Sequence, residues 1–143
     1  SKYIHFATHG IVDEDQPELS QIFLVSDNKE DGNLYSGEIY NLTLNADLVT
    51  LSACQTGLGK VYKGEGIIGL SRALVYSGAN NLVVSLWSVA DQSTSELMVE
   101  FYEGLITKNL SYSTSLQQAK KKLISSNAYS APYYWAPFVL IGN

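Results

Sequence analysis

The sequence predicts an α/β fold, and three observations predict it. Short apolar runs alternate along the chain with amphipathic helical stretches, the signature of strands and helices in turn. Two of those runs are apolar on both faces, as suits parallel strands covered by helices. Two chemically distinctive residues, His9 and Cys54, fall just past the ends of two runs. In open α/β sheets, ligands bind outside the carboxyl ends of strands.

The elements follow in order. Tyr3–Ala7 is short, apolar-rich and uncapped, so it reads as a buried strand ending at Thr8-His9-Gly10. Asp13–Glu18 is polar. Gln21–Ser26 reads as a second strand, Asp27–Asn33 as a charged loop, and Ser36 as the cap of a short helix over Gly37–Asn41. Asp47–Ser52 is the first run apolar on both faces. It leads into Ala53-Cys54-Gln55-Thr56-Gly57 and a glycine-rich loop to Gly64. Glu65–Ser77 places Ile67, Leu70 and Leu74 at helical spacing, with Gly78 where a C-terminal cap belongs.

Asn81–Leu86 (Asn-Leu-Val-Val-Ser-Leu) is another buried strand. Ser93 with Glu96 three residues on forms a capping box, and Leu97, Phe101 and Leu105 supply the buried stripe of the helix it opens. Ser113–Ser125 is a further amphipathic helix with Leu116, Ala119 and Leu123 inward. Trp135–Ile141 is the closing strand, ending at Gly142. No internal repeat, low-complexity tract or linker interrupts this order.

A chain of 143 residues fits one domain and can bury a core without metal or disulfide staples. It is 45% hydrophobic, too apolar for disorder. The net charge of −5 and a single basic cluster, Lys120–Lys122, exclude a nucleic-acid-binding face. That cluster reads as a solvated helix face. Cys54 is the one cysteine, so no internal disulfide forms, and a reducing, cytoplasmic setting is expected. No run approaches the ~20 apolar residues of a membrane span, and no signal peptide is visible. The chain opens at Ser1 and runs at once into a strand, so it is expected to be a piece of a longer protein.

His9 and Cys54 lie 45 positions apart (54 − 9), which leaves room for a loop, a strand and a helix between them. On parallel neighbouring strands they would share one rim. A thiol nucleophile needs a neighbour that stabilises thiolate and protonates the leaving amine, and histidine does both near neutral pH. The backbone amides of Gly10 and Cys54 are candidate oxyanion donors. The bland alternative is a packed cysteine and a satisfied histidine. His5 is mid-strand, expected to be buried and to share a face with His9. His5, His9 and Cys54 together lack a fourth zinc ligand. Gly57-Leu58-Gly59-Lys60 lacks the spacing of a phosphate loop.

Tyr3-Ile4-His5-Phe6-Ala7-Thr8-His9-Gly10 resembles the histidine motif of the CHAT family of caspase-like cysteine peptidases. Leu51-Ser52-Ala53-Cys54-Gln55-Thr56-Gly57 resembles that family's cysteine motif. Gly64-Glu65-Gly66 through Asp91 looks like its next helix and strand, and Tyr134–Gly142 like its closing strand. The resemblance covers nearly the whole chain, in order. It implies a caspase-like three-layer sandwich, with a mostly parallel central sheet, helices on both faces and an antiparallel last strand. It also implies peptide-bond hydrolysis without a cofactor: Cys54 attacks, His9 protonates the leaving amine, and the Gly10 and Cys54 amides hold the oxyanion. The family's usual upstream strands, and often helical repeats ahead of them, are missing from this stretch.

Leu86-Trp87-Ser88-Val89-Ala90-Asp91 looks like the segment of separase that supplies an acidic floor to its arginine pocket. Asp91 is therefore a candidate substrate-binding residue for Arg or Lys before the scissile bond. Its competing role is a helix cap. Trp87 is a candidate pocket wall, or packs under its loop. Glu65 is explained by the helix dipole, and Asp47 only begins a strand. Tyr133, Tyr134 and Trp135 are either binding surface or core. The expected partners are a protein or peptide substrate and a regulatory repeat domain or activator. Self-processing would fall in Asp27–Asn33 or Lys60–Lys63. The rival to a peptidase is a catalytically silent module that keeps the fold for interaction; it has no need of both His9-Gly10 and Cys54.

Overall fold

The computed structural model of the chain describes residues 2–13, 15–52, 55–56 and 65–142. Its architecture is mixed α/β, with a mostly parallel central sheet, an antiparallel last strand pair and helices. The chain divides into two compact units, Ser1–Ser88 with Ile141–Asn143, and Val89–Leu140.

The first unit is built on three parallel strands, β1 (Tyr3–Phe6), β5 (Leu48–Leu51) and β7 (Leu82–Ser85). β5 lies between the other two, with Tyr3 through Phe6 paired to Leu48 through Leu51, and Val49 through Leu51 paired to Leu82 through Val84. Every residue of β5 and β7 is buried, as their two-faced apolar runs require. β1 departs from the expected buried strand. Tyr3, Ile4 and Phe6 are half-buried and His5 is exposed. Its ladder partner among the described residues is β5 alone. An apolar run says that a strand packs, but its neighbours decide how deeply.

A second, smaller sheet grows from the same chain. β2 (Gly10–Val12) and β3 (Gln21–Phe23) pair antiparallel, as do β3 and β4 (Asn33–Tyr35), while β2 pairs parallel with β6 (Gln55–Thr56). The β3–β4 connection turns at Asp27, whose carboxylate accepts the amides of Lys29 and Glu30 at 2.7 and 2.8 Å. Those bonds hold the Asp27 carboxyl below its usual range. A 3-10 turn at Pro17–Leu19 and α1 (Ser36–Ile39) complete this region. Ser36 opens α1 rather than capping it, and the Glu38 carboxylate instead accepts the Tyr35 amide at 2.9 Å. α2 (Glu65–Tyr76) buries Ile67, Leu70 and Leu74 and ends at Gly78, whose φ of +106° is the left-handed cap the sequence predicts.

The second unit holds α3 (Asp91–Ile106), α4 (Tyr112–Ile124), the short α5 (Pro132–Trp135) and β8 (Phe138–Ile141), whose last residue belongs to the first unit. α3 buries Leu97, Phe101 and Leu105, and α4 buries Leu116, Ala119 and Leu123, the two predicted stripes. Gly104 of α3 meets Ser115 of α4 so closely that an added Cβ would sit 2.8 Å from the Ser115 Oγ. Ser111 caps α4, accepting the Thr114 amide at 3.2 Å. Lys122 pairs with Glu100 across the two helices. Pro132 opens α5, so the closing strand is shorter than Trp135–Ile141. Tyr133 is exposed and Tyr134 half-buried, their rings 5.3 Å apart, so this aromatic cluster is neither wholly surface nor core.

Among the described residues, no helix is long and apolar enough to cross a membrane.

Candidate active site

Two parallel pairings bracket the His9 turn. Below it, Phe6 pairs with Leu51, an offset of 45 positions (51 − 6), and the Ser52 amide donates to the Phe6 carbonyl at 3.3 Å. Above it, Ile11 pairs with Gln55, an offset of 44 (55 − 11). Between the two pairings one chain has four residues, 7–10, and the other three, 52–54. The single extra residue is a slip of the kind a bulge introduces, and it lies in the stretch that carries His9. Cys54 itself lies outside the described residues; its covalent neighbour Gln55 is the residue paired with Ile11.

The His9 turn is tied to β3 at three points. The Phe23 amide donates to the His9 carbonyl at 2.8 Å, the Thr8 hydroxyl donates to the Phe23 carbonyl at 2.7 Å, and Gly10 stands opposite Ile22. Successive residues of an antiparallel strand turn their backbone groups to opposite edges. The His9 carbonyl faces β3, so the Gly10 amide faces the other edge, where β6 pairs. Gly10 is buried, whereas His9 is exposed. The backbone of the turn is thus held while the imidazole stays accessible.

These motifs, in this order and on these strand ends, match a known family along the whole chain: the model for the CHAT domain matches residues 1–143. The chain belongs to the CHAT domain family. CHAT is a caspase-like, peptidase-related family, and the mixed sheet and helices are consistent with a caspase-like sandwich. Tetratricopeptide repeat protein 28 of Mus musculus is 36% identical over 110 residues, covering 77% of this chain, and so is its namesake of Homo sapiens. The chain spans about 4% of the length of these two relatives.

Elsewhere in this CHAT chain, His5 differs from its expectation. It is exposed rather than buried, and its Nε2 lies 2.8 Å from the Ser52 Oγ. Partial desolvation pushes its pKa below the usual histidine range. β1 ends at Phe6 and Thr8 is a bend, so strand alternation does not carry from His5 to His9. Ser52 was not singled out from the sequence. Its place two residues before Cys54, on the strand facing β1, is the signal that could have found it.

Trp87 follows β7, the parallel neighbour of β5 on the side away from β1. It is half-buried, and its carbonyl accepts the buried Ser85 hydroxyl at 2.6 Å. Asp91 is the first residue of α3 and is exposed. The predicted capping box is overturned here. α3 begins two residues before Ser93, after Ala90, and the buried Ser93 hydroxyl donates to the Ala90 carbonyl at 2.9 Å. The first helical turn welcomes the Asp91 carboxylate on electrostatic grounds alone. Glu65 opens α2, as the dipole argument expects. Among the described residues, no group of three or more His, Cys, Asp or Glu could hold a metal ion.

Proposed function

We propose that this CHAT chain is a cysteine endopeptidase acting through His9 and Cys54. The observation that carries the reading is the bracketed turn: His9 exposed on a backbone tied to β3, with ladders on both sides to β5 and β6, the two strands that flank Cys54 in sequence. In sequence, Cys54 immediately precedes Gln55, the residue paired with Ile11, and His9 lies two positions before Ile11.

In the proposed reaction the imidazole of His9 takes the thiol proton, and the Cys54 sulfur attacks the scissile carbonyl carbon. The oxyanion is held by the Gly10 amide, which faces the β6 edge, and by the Cys54 amide. Collapse breaks the C–N bond, and His9 returns the proton to the leaving amine. Water, deprotonated by His9, then cleaves the thioester and restores the thiol. This chemistry needs no metal and no cofactor.

Asp91 and Trp87 are each proposed as substrate-binding residues, Asp91 as the carboxylate that pairs with Arg or Lys before the scissile bond. Support comes from the acidic side chain at this point of the motif and from its exposure. The lone cysteine supports a reducing, cytoplasmic setting, where its thiol stays free. The names of the two relatives support an upstream or partner repeat domain as regulator.

The test is labelling of Cys54 by a peptidyl electrophile ending in arginine, beside one ending in aspartate and a His9→Ala control. Labelling by the arginine probe, weakened in the control, is expected. Labelling by the aspartate probe alone would retain the peptidase and remove the Asp91 pocket. Absence of labelling, repeated in the longer protein, would favour a silent interaction module. Asp91→Ala should abolish cleavage after basic residues while Cys54 alkylation persists; unchanged cleavage would exclude Asp91.

A further inference from the structure

The residue at which the two ladders lose register carries a side-chain tie that the proposed chemistry does not use. Ser52 is bonded twice to β1. Its amide donates to the Phe6 carbonyl at 3.3 Å, and its hydroxyl lies 2.8 Å from the His5 Nε2. The two contacts link the strand that leads to His9 with the strand that leads to Cys54. Ser52 also stands two positions before Cys54 in the sequence.

We propose that His5 is a positioning residue for the candidate dyad, holding Ser52, and through it the approach to Cys54, in register with the His9 turn. This rests on the peptidase reading above. The physical need comes from the slip. The offset is 45 at Phe6–Leu51 and 44 at Ile11–Gln55, so the two ladders stand one residue out of register with each other. The His5–Ser52 contact is a lateral side-chain bond at the near end of that change of register.

The geometry suits the task. His5 pairs with Thr50, and Ser52 is two residues on, so the side chains of His5 and Ser52 project from the same face of neighbouring strands. A ring reaches that diagonal position easily. Desolvation favours the neutral imidazole, and a neutral ring either donates to the hydroxyl or accepts from it. Small errors of placement between a nucleophile and its proton acceptor are costly in rate.

The experiment is the rate of Cys54 alkylation by iodoacetamide, followed from about pH 5 to about pH 9 across the range where thiol and imidazole titrate. It compares the unaltered chain with His5→Ala, His5→Gln, Ser52→Ala, the His5→Ala/Ser52→Ala double variant and His9→Ala, with melting followed in each. His5→Ala and Ser52→Ala should each slow alkylation by about fivefold to tenfold, the ratio that one net hydrogen bond supports. The double variant should be no slower than either single one, because both remove the same bond. The apparent thiol pKa should rise toward its ordinary value of about 8.5. His5→Gln, whose amide nitrogen stands near the position of Nε2, should restore both rate and profile.

A merely structural His5 would lower the melting point without moving the pH profile, and glutamine would have no special power of rescue. Unchanged rate and profile in His5→Ala, additive effects in the double variant, or failure of glutamine to rescue would each overturn the proposal. If His5→Ala fails to fold, Ser52→Ala carries the same prediction, since it removes only a hydroxyl. An unchanged profile in His9→Ala would remove the dyad reading and the positioning role with it. A shifted profile in His9→Ala beside an unchanged His5→Ala would remove the positioning role alone.

Discussion

The α3–α4 pair and the His9 turn are held by different means. In the helical unit the bonds that matter are between side chains. Phe101, Leu97 and Leu123 are fully buried or nearly so, and Gly104 lets α3 approach Ser115 of α4. In the His9 turn most ties run through the backbone: the Phe23 amide, the Phe23 carbonyl and the Gly10–Ile22 pairing. The difference is instructive. Packing by side chains stabilises an element but uses up the side chains. Holding a turn by its backbone leaves His9 exposed and available for chemistry, at the cost of a weakly buried neighbourhood.

The comparison predicts a large loss of stability with no chemical signature in the helical unit, and the reverse at the turn. Phe101→Ala should have the largest effect, about 3–5 kcal/mol of unfolding free energy, because it empties a fully buried site. Urea unfolding measures it, and a loss below about 1 kcal/mol would mean that the helices are held by something other than this stripe. Gly104→Ala comes next, at about 1–3 kcal/mol, because the new Cβ would meet both Oγ and Cβ of Ser115 and must push the helices apart.

Thr8→Val should cost only about 1 kcal/mol, the net worth of one hydrogen bond. Its Cys54 labelling should nonetheless drop severalfold, since the His9 turn loses one of its three ties. Normal labelling with normal stability would show that the backbone contacts hold the His9 turn without Thr8.

The smallest effect is expected from acid. Asp27 accepts two turn amides, which depresses its pKa below 3.8. A carboxylate with a depressed folded-state pKa contributes stability above its unfolded value and loses it as pH falls through the folded one. The β3–β4 turn should therefore loosen only below about pH 3.8, read as faster amide exchange at Lys29 and Glu30. Asp27→Asn should loosen the turn already at neutral pH. His5 moves stability in the same sense: its pKa is lowered, so protonation as pH falls below 6.5 disfavours the folded form. His5→Gln should remove that component of the acid response.

Much of this fold was legible because its signals are local. β5 and β7 are two-faced apolar runs, α2 and α4 carry a 3.6-residue stripe, and Gly78 marks its cap by backbone freedom alone. The missed elements are those with no local signal. β2, β4 and β6 have two or three residues each, too few for a period, and exist because a distant strand pairs with them. α5 hides between aromatic residues that read equally well as strand. At α3, Ser93 and Glu96 spelled a capping box, yet the helix starts at Asp91 and Ser93 turns its hydroxyl inward to Ala90. A capping pair reports a local preference, and burial of Ser93 overrode it.

By itself the sequence determined the class of the fold, the family and the candidate residues, because apolar periodicity and contiguous motifs are properties of neighbouring positions. Only the tertiary structure decided what surrounds His9. That β1 is half-exposed, that the Gly10 amide faces away from β3, and that His5 meets Ser52 all follow from pairings between segments that are not neighbours in sequence. Register is a long-range quantity: moving a strand by one residue changes every side chain's face while leaving its sequence, and so its local preferences, untouched.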